Sequence, residues 1–257
     1  MHDFHTHSNY SDGDFLERML DATETAGLEG IGIADHCYVT DREPFRDARA
    51  RVGMNLDRTY DRRRRAIDAL REETDVRIYD AVEMDYDPRD VSEIRRFLEE
   101  ADFEYAIGSV HRIDDVNIQV ESAVSNRSDV ELDAMVDEYF ETLVELIESE
   151  LFEIAAHLDL PERTPSLRGR ATEDHYRRVA EAFARSRTVP EVNAGRALSD
   201  AELVHPSPSF LQILRERGVP FTVGTDAHHP NELVDRTQFV AEFLEENDLE
   251  PVHPLEV

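Results

Sequence analysis

Imidazoles and carboxylates recur along this chain where they could share a cation. His5 and His7 flank Thr6 near the start. In an extended strand alternate side chains face the same way, so the two rings project together. Asp12 follows in a turn-like Ser-Asp-Gly. His36 ends the stretch LEGIGIADH, and Glu83 lies in AVEMDY. His111 closes GSVH, His157 lies in AHLDL, and Asp226 and His228 lie in GTDAHH. A lone histidine at a strand end is usually a satisfied structural residue; a series of them is harder to produce by chance. A catalytic zinc-like ion takes three or four protein donors and keeps one position open. Nine donors therefore suit two or three ions with a carboxylate between them. Imidazole and carboxylate without thiolate suit Zn, Mn or Fe. Cys37, the single cysteine, reads as a small buried hydrophobe rather than a ligand, and it allows no internal disulfide.

These donors need elements that bring them together. Short β-rich runs alternate with helical stretches about seven times. Helices are expected over 57–73, 88–100, 129–150, 172–186, 207–217 and up to 246, the fifth opened by Ser207 and Pro208 as cap residues. The candidate donors fall at the ends of the strands. In a β/α barrel the C-terminal strand ends converge on one face, where active sites form. Residues from 5 to 228 would then meet in one mouth. Residues 38–56 and 112–128 read as the longest irregular connections and are expected to cover it. The arginine run 62–65 reads as a salt-bridged solvated helix face, not as a nucleic-acid patch.

The chain has 257 residues, 58 acidic and 28 basic side chains and a net charge of -30. Every basic side chain is arginine, which excludes a Schiff base, a Walker A lysine and a carbamylated lysine. Acidity spread along the chain, with arginine in place of lysine, resembles proteins of salt-loving archaea. At high ionic strength the repulsion between surface carboxylates is screened. Such a surface disfavours nucleic acid. No apolar run approaches the roughly 20 residues that span a bilayer, and no secretory leader is seen. The expectation is a cytoplasmic protein without a membrane partner; oligomeric state is not legible.

The pieces HTHSNYSDG, IADH, AVEMDY, GSVH, AHLDL and GTDAHH occur in the order found in the PHP (polymerase and histidinol phosphatase) metallophosphoesterases. The resemblance runs from residue 2 to about 230. With EVNAG and the chain length, it is most similar to the stand-alone histidinol-phosphate phosphatases. It implies a single PHP domain over 1–257, with a distorted (β/α)7 TIM-like barrel to about 246 and a short tail at 247–257. It also implies three ion sites: His5, His7, Glu83 and Asp226; Glu83, His111 and His157; and Asp12, His36 and His228. Asp12 departs most from the family pattern. Asp35 and Asp159 would orient ligands from behind. Arg163 and Arg196 would bind phosphate, and Glu191 would face a cationic amino alcohol, with Glu43 a weaker candidate. The expected reaction is hydrolysis of a small phosphomonoester, histidinol phosphate, by a metal-bound hydroxide held by Glu83, His111 and His157. The leaving alkoxide would take its proton from a bound water or His228. Competing readings are a PHP-type nuclease or nucleotide phosphoesterase, a non-catalytic metal-stabilised module, and a Glu-bridged amidohydrolase-like C–N hydrolase.

Overall fold

Seven short β-rich runs pair side by side as parallel strands. The computed structural model describes residues 1–43, 45–52 and 55–257. The strands are β1 (His2–Thr6), β2 (Gly30–Ile33), β3 (Arg77–Asp85), β4 (Tyr105–Ser109), β5 (Ile154–Ala155), β6 (Val189–Arg196) and β7 (Thr222–Gly224). Each pairs in parallel with the next. The ring closes between the ends of β7 and β1, where Thr6 bridges Ala227. There Asp226 N–H donates to the His5 carbonyl at 2.8 Å and His7 N–H to the Ala227 carbonyl at 2.9 Å. Strands covered on both faces tend to read as continuous apolar runs. β2 (GIGI) does, while β1 (HDFHT), β3 (RIYDAVEMD) and β6 (VPEVNAGR) are interrupted by buried polar residues.

A helix follows each strand: α1 (Leu16–Thr25), α2 (Tyr60–Leu70), α3 (Val91–Ala101), α4 (Asp129–Glu148), α5 (Glu173–Phe183), α6 (Pro208–Glu216) and α7 (Pro230–Glu246). The fold is α/β, a distorted (β/α)7 barrel. Capping boxes start α4, from Ser128 and Glu131, and α5, from Thr172 and His175. At α6 Pro208 takes the first turn as expected, but the Ser207 side chain makes no cap bond. Its backbone N–H donates to Asp159 instead, at 2.8 Å. The two long connections are more ordered than the sequence suggests. The first holds a helix, Phe45–Val52; the second holds a hairpin of Arg112–Ile113 with Val116–Asn117 and a turn of helix at Glu121–Val124.

The lower barrel is filled by Phe4, Tyr79, Tyr105, Ile107 and Ile154 among others. Tyr105 crosses the lumen and donates its hydroxyl to the Phe4 carbonyl at 2.5 Å. Only glycine permits this at 32, because a Cβ there would sit 1.7 Å from that hydroxyl. The C-terminal tail closes the floor: Val252 N–H donates to the Phe221 carbonyl at 2.7 Å, and His253 Nε2 bonds the Tyr79 hydroxyl at 2.9 Å. The larger core lies outside the barrel beneath α4, α5 and α6. What remains open is the upper mouth.

The arginine run departs from expectation. Arg65 does pair with Asp61 on the surface, but Arg63 is fully buried. It reaches Asp35 at 2.8 Å and Asp80 at 2.7 Å, joining α2 to β3 and to the segment after β2. The helical phase places that one guanidinium inward, while its neighbours stay partly or fully exposed.

Candidate metal centre

The nine candidate donors all come to the C-terminal mouth. β1 carries His5, and the turn after it carries His7 and Asp12. β2 breaks at Ala34–Asp35 and resumes as the short strand His36–Cys37, which pairs with the end of β3 and sets His36 opposite Glu83. His111 follows β4, His157 follows β5, and Asp226 and His228 follow β7. Two of them hold left-handed backbone, His157 with φ 29° and Asp226 with φ 51°. Such conformations cost free energy in non-glycine residues and concentrate at functional sites.

The donors fall into overlapping groups. His5 Nε2 and His7 Nε2 lie 3.2 Å apart. Asp226 Oδ1 is 3.3 Å from the His7 nitrogen and 4.0 Å from that of His5. Glu83 Oε2 is 3.4 Å from His5 Nε2 and 3.6 Å from His7 Nε2. The other oxygen, Glu83 Oε1, is 3.1 Å from His157 Nε2 and 3.4 Å from His111 Nε2. Asp12 Oδ1 lies 3.3 Å from His228 Nε2 and 3.7 Å from His36 Nε2, with His7 beside them. Donors about 2.1 Å from a shared tetrahedral ion stand about 3.4 Å from one another, so these spacings fit divalent ions. A second feature agrees. His36 Nδ1 is 2.7 Å from Glu83 Oε2, yet that buried oxygen has no aligned hydrogen-bond donor. His36 thus faces both Glu83 and Asp12, which couples the third group to the first.

The far sides of the rings fix their tautomers. His5 Nδ1 meets Glu191 at 2.9 Å, His228 Nδ1 donates to the Asp226 carbonyl at 3.0 Å, and His111 Nδ1 bonds Asp85. His7 Nδ1 faces the Ser11 hydroxyl at 3.5 Å, and Ser11 gives its own proton to Asp35 at 2.7 Å. In each case Nδ1 holds the proton and Nε2 presents a lone pair to the centre.

Charges are tightly coupled. Burial disfavours the Glu83 carboxylate, but His36, His5 and His111 outweigh it and hold its pKa well below the usual range. Burial also opposes charge on His36, yet Glu83 and Asp12 push that ring up to about 10. Burial, with His228 and His36 nearby, pushes His7 down to about 4. His157 is likewise pushed down to about 4, chiefly by burial.

The mouth forms a cavity of about 370 Å³. Besides ligand candidates, Gln119, Arg163, Arg196 and Arg236 line it. Arg163 is nearly buried, with Nη2 3.3 Å from Asp226 Oδ2. Arg196 is exposed and has no carboxylate partner among the described residues. Arg236 donates to the Asp226 carbonyl at 2.8 Å and pairs with Glu232 at 3.1 Å.

Several expectations change. Glu191 is buried and does not line the cavity; it accepts from His5, from His157 N–H at 3.1 Å and from Asn193 at 2.7 Å, so it supports the donors rather than facing a substrate. Gly224 lets it pack so closely, since a Cβ there would lie 2.4 Å from Glu191 Oε2. Glu43 pairs with Arg46 on the surface and does not line the cavity. Asp159 touches none of the nine donors; it bonds His205 at 2.7 Å. Asp35 does stand behind His7, but it acts through Ser11 and also holds Ser8. Sequence reasoning missed Asp85, His205 and Arg236. Only Asp85 carried a signal: two residues after Glu83, it lies on the same side of β3.

Among the described residues no helix is long and apolar enough to cross a membrane. A protein named as a histidinol-phosphatase from Deinococcus radiodurans is 25% identical over 231 residues, covering 88% of this chain and 84% of that protein. The histidinol phosphate phosphatase of Lactococcus lactis, solved with zinc, L-histidinol and phosphate, superposes with a TM-score of 0.76 at 20% identity, over 98% of this chain and 95% of that one. A Listeria monocytogenes protein described as a histidinol phosphatase gives a TM-score of 0.77 at 18% identity, over 90% and 97%. These likenesses show the shared barrel. The model of the PHP domain matches residues 3–195, and with the mouth just described this chain belongs to the PHP family.

Proposed function

We propose that this chain is a divalent-metal-dependent phosphomonoesterase whose substrate is histidinol phosphate. The observation that carries the reading is Glu83: its two oxygens address two separate sets of imidazoles, in a cavity that three arginines also line. His5, His7, Glu83 and Asp226 would hold one ion, Glu83, His111 and His157 a second, and Asp12, His36 and His228 a third. Ions held there would supply hydroxide near neutral pH and shield the phosphate oxygens from it.

The residues of the chain do the rest. Arg163 and Arg196 present planar forks that match phosphate oxygens. Asp85, Glu191 and the Ser11–Asp35 pair keep imidazole lone pairs aimed inward. The cavity volume suits a small ester rather than a nucleic-acid strand. The named relatives point to histidinol phosphate within that class.

The test is phosphate release by the full chain in molar KCl with Mn or Zn. Histidinol phosphate is compared with simple monoesters and with a diester. We expect the highest kcat/KM on histidinol phosphate and none without added ion. Preference for the diester would replace this reading with a phosphodiesterase.

A further inference from the structure

Arg163 is held in an unusual way for so acidic a chain. Most arginines with a side-chain partner here meet a carboxylate, but the Arg163 Nε–H donates to a neutral acceptor, His205 Nε2, at 3.0 Å. Nη1 donates to Gln119 Oε1 at 3.3 Å and Nη2 to Asn193 Oδ1 at 3.2 Å. Its one carboxylate contact among the described residues, Asp226 Oδ2, belongs to a proposed ion ligand.

His205 is itself fixed from behind. It lies on a short strand, Leu203–His205, that runs antiparallel to β6 opposite Asn193. His205 Nδ1–H donates to Asp159 Oδ1 at 2.7 Å, and Asp159 Oδ2 accepts from Ser207 N–H at 2.8 Å. The ring therefore keeps its lone pair on Nε2, turned to Arg163. Asp159 and His205 are both 1% exposed. Burying such a pair gives little net stability compared with an apolar pair of similar volume, so stability alone does not account for it. A neutral acceptor orients the guanidinium while leaving its charge available to an anion.

We propose that the Asp159–His205 pair positions Arg163 to receive a phosphate oxygen of the substrate; this rests on the phosphatase reading above. His205 is a positioning residue that acts through Arg163. His205→Leu removes the acceptor at similar volume, whereas His205→Gln keeps an oxygen near the place of Nε2. Melting curves follow folding, and Asp159→Asn/His205→Leu removes the acceptor without leaving a buried charge unpaired.

The readouts are calorimetric binding of inorganic phosphate to the Mn-loaded full chain, and kcat and KM on histidinol phosphate. We expect His205→Leu to weaken phosphate binding and raise KM on the order of tenfold, with kcat within about twofold. His205→Gln should stay near the parent. In an Arg163→Ala background His205→Leu should add nothing further. A folded His205→Leu chain with unchanged phosphate affinity overturns the proposal, as do effects of the two substitutions that multiply. A parent chain that binds phosphate but hydrolyses no monoester sinks only the phosphatase reading; one that binds no phosphate sinks both.

Discussion

Five imidazoles crowd one carboxylate. His5, His7 and His36 approach Glu83 Oε2, while His111 and His157 approach Oε1. Without cations the cluster keeps protons to balance that charge. Burial works against a charged His36, but Glu83 and Asp12 hold its pKa up to about 10, far above the ordinary 6.5. An ion that takes His36 as a ligand must expel that proton. Zinc titrated into the ion-free protein at about pH 8 should therefore release at least one proton, and more where it also takes His5. Burial opposes charge on that ring too, but Glu191 and Glu83 hold its pKa well above the ordinary value. Calorimetry in two buffers of different ionisation heat checks this: equal apparent enthalpies would contradict it. The sign for stability follows. A folded pKa above the unfolded one stabilises fully below 6.5, and that contribution is lost as pH rises through about 10. The ion-free melting temperature should fall between those values, while the loaded protein, with His36 unprotonated, should not show this fall.

At the scale of elements, Arg63 shows how the barrel wall supports the mouth. Its guanidinium pairs with Asp35 and Asp80, and Asp35 in turn holds Ser8 and Ser11 beneath His7. Arg63→Met keeps much of the apolar stem but leaves the buried Asp35 carboxylate without its cation and Asp80 with Arg64 alone. The expected cost is about 3–5 kcal/mol, read from urea unfolding against Arg65→Met, which removes only an exposed pair. Equal midpoints for the two variants would show that the buried bridge carries no stability. The contrast between these arginines also marks what sequence could say. The alternation of strands and helices placed the donor-bearing strand ends, because period and residue type are local properties. The inward phase of Arg63 within RRRR, the burial of Glu191 beneath His5 and the pairing of His205 with Asp159 are set by neighbours distant in the chain. Glu191 and a substrate-facing glutamate look alike until β7 and Gly224 close over it. His205, followed by Pro206, had no strand-end pattern to distinguish it.

Charge is the property of the whole molecule. The chain carries 58 acidic and 28 basic side chains, and many arginines are already engaged in pairs such as Arg65–Asp61 and Arg217–Glu181. The surplus of 30 negative charges therefore lies in carboxylates with little local compensation. At about 0.1 M salt the Debye length is roughly 10 Å, longer than the spacing between many surface groups, so the compact state repels itself. At about 1 M it shrinks to roughly 3 Å and that repulsion is screened, while buried pairs such as Arg63–Asp35 are affected far less. The melting temperature of the ion-free chain should rise steeply between about 0.1 M and 1 M KCl and then flatten. Sucrose, which strengthens burial without screening, provides the control. If equal stabilisation came from sucrose, the gain would reflect solvent exclusion rather than charge. If added KCl lowered the melting temperature, surface ion pairs would outweigh the net repulsion.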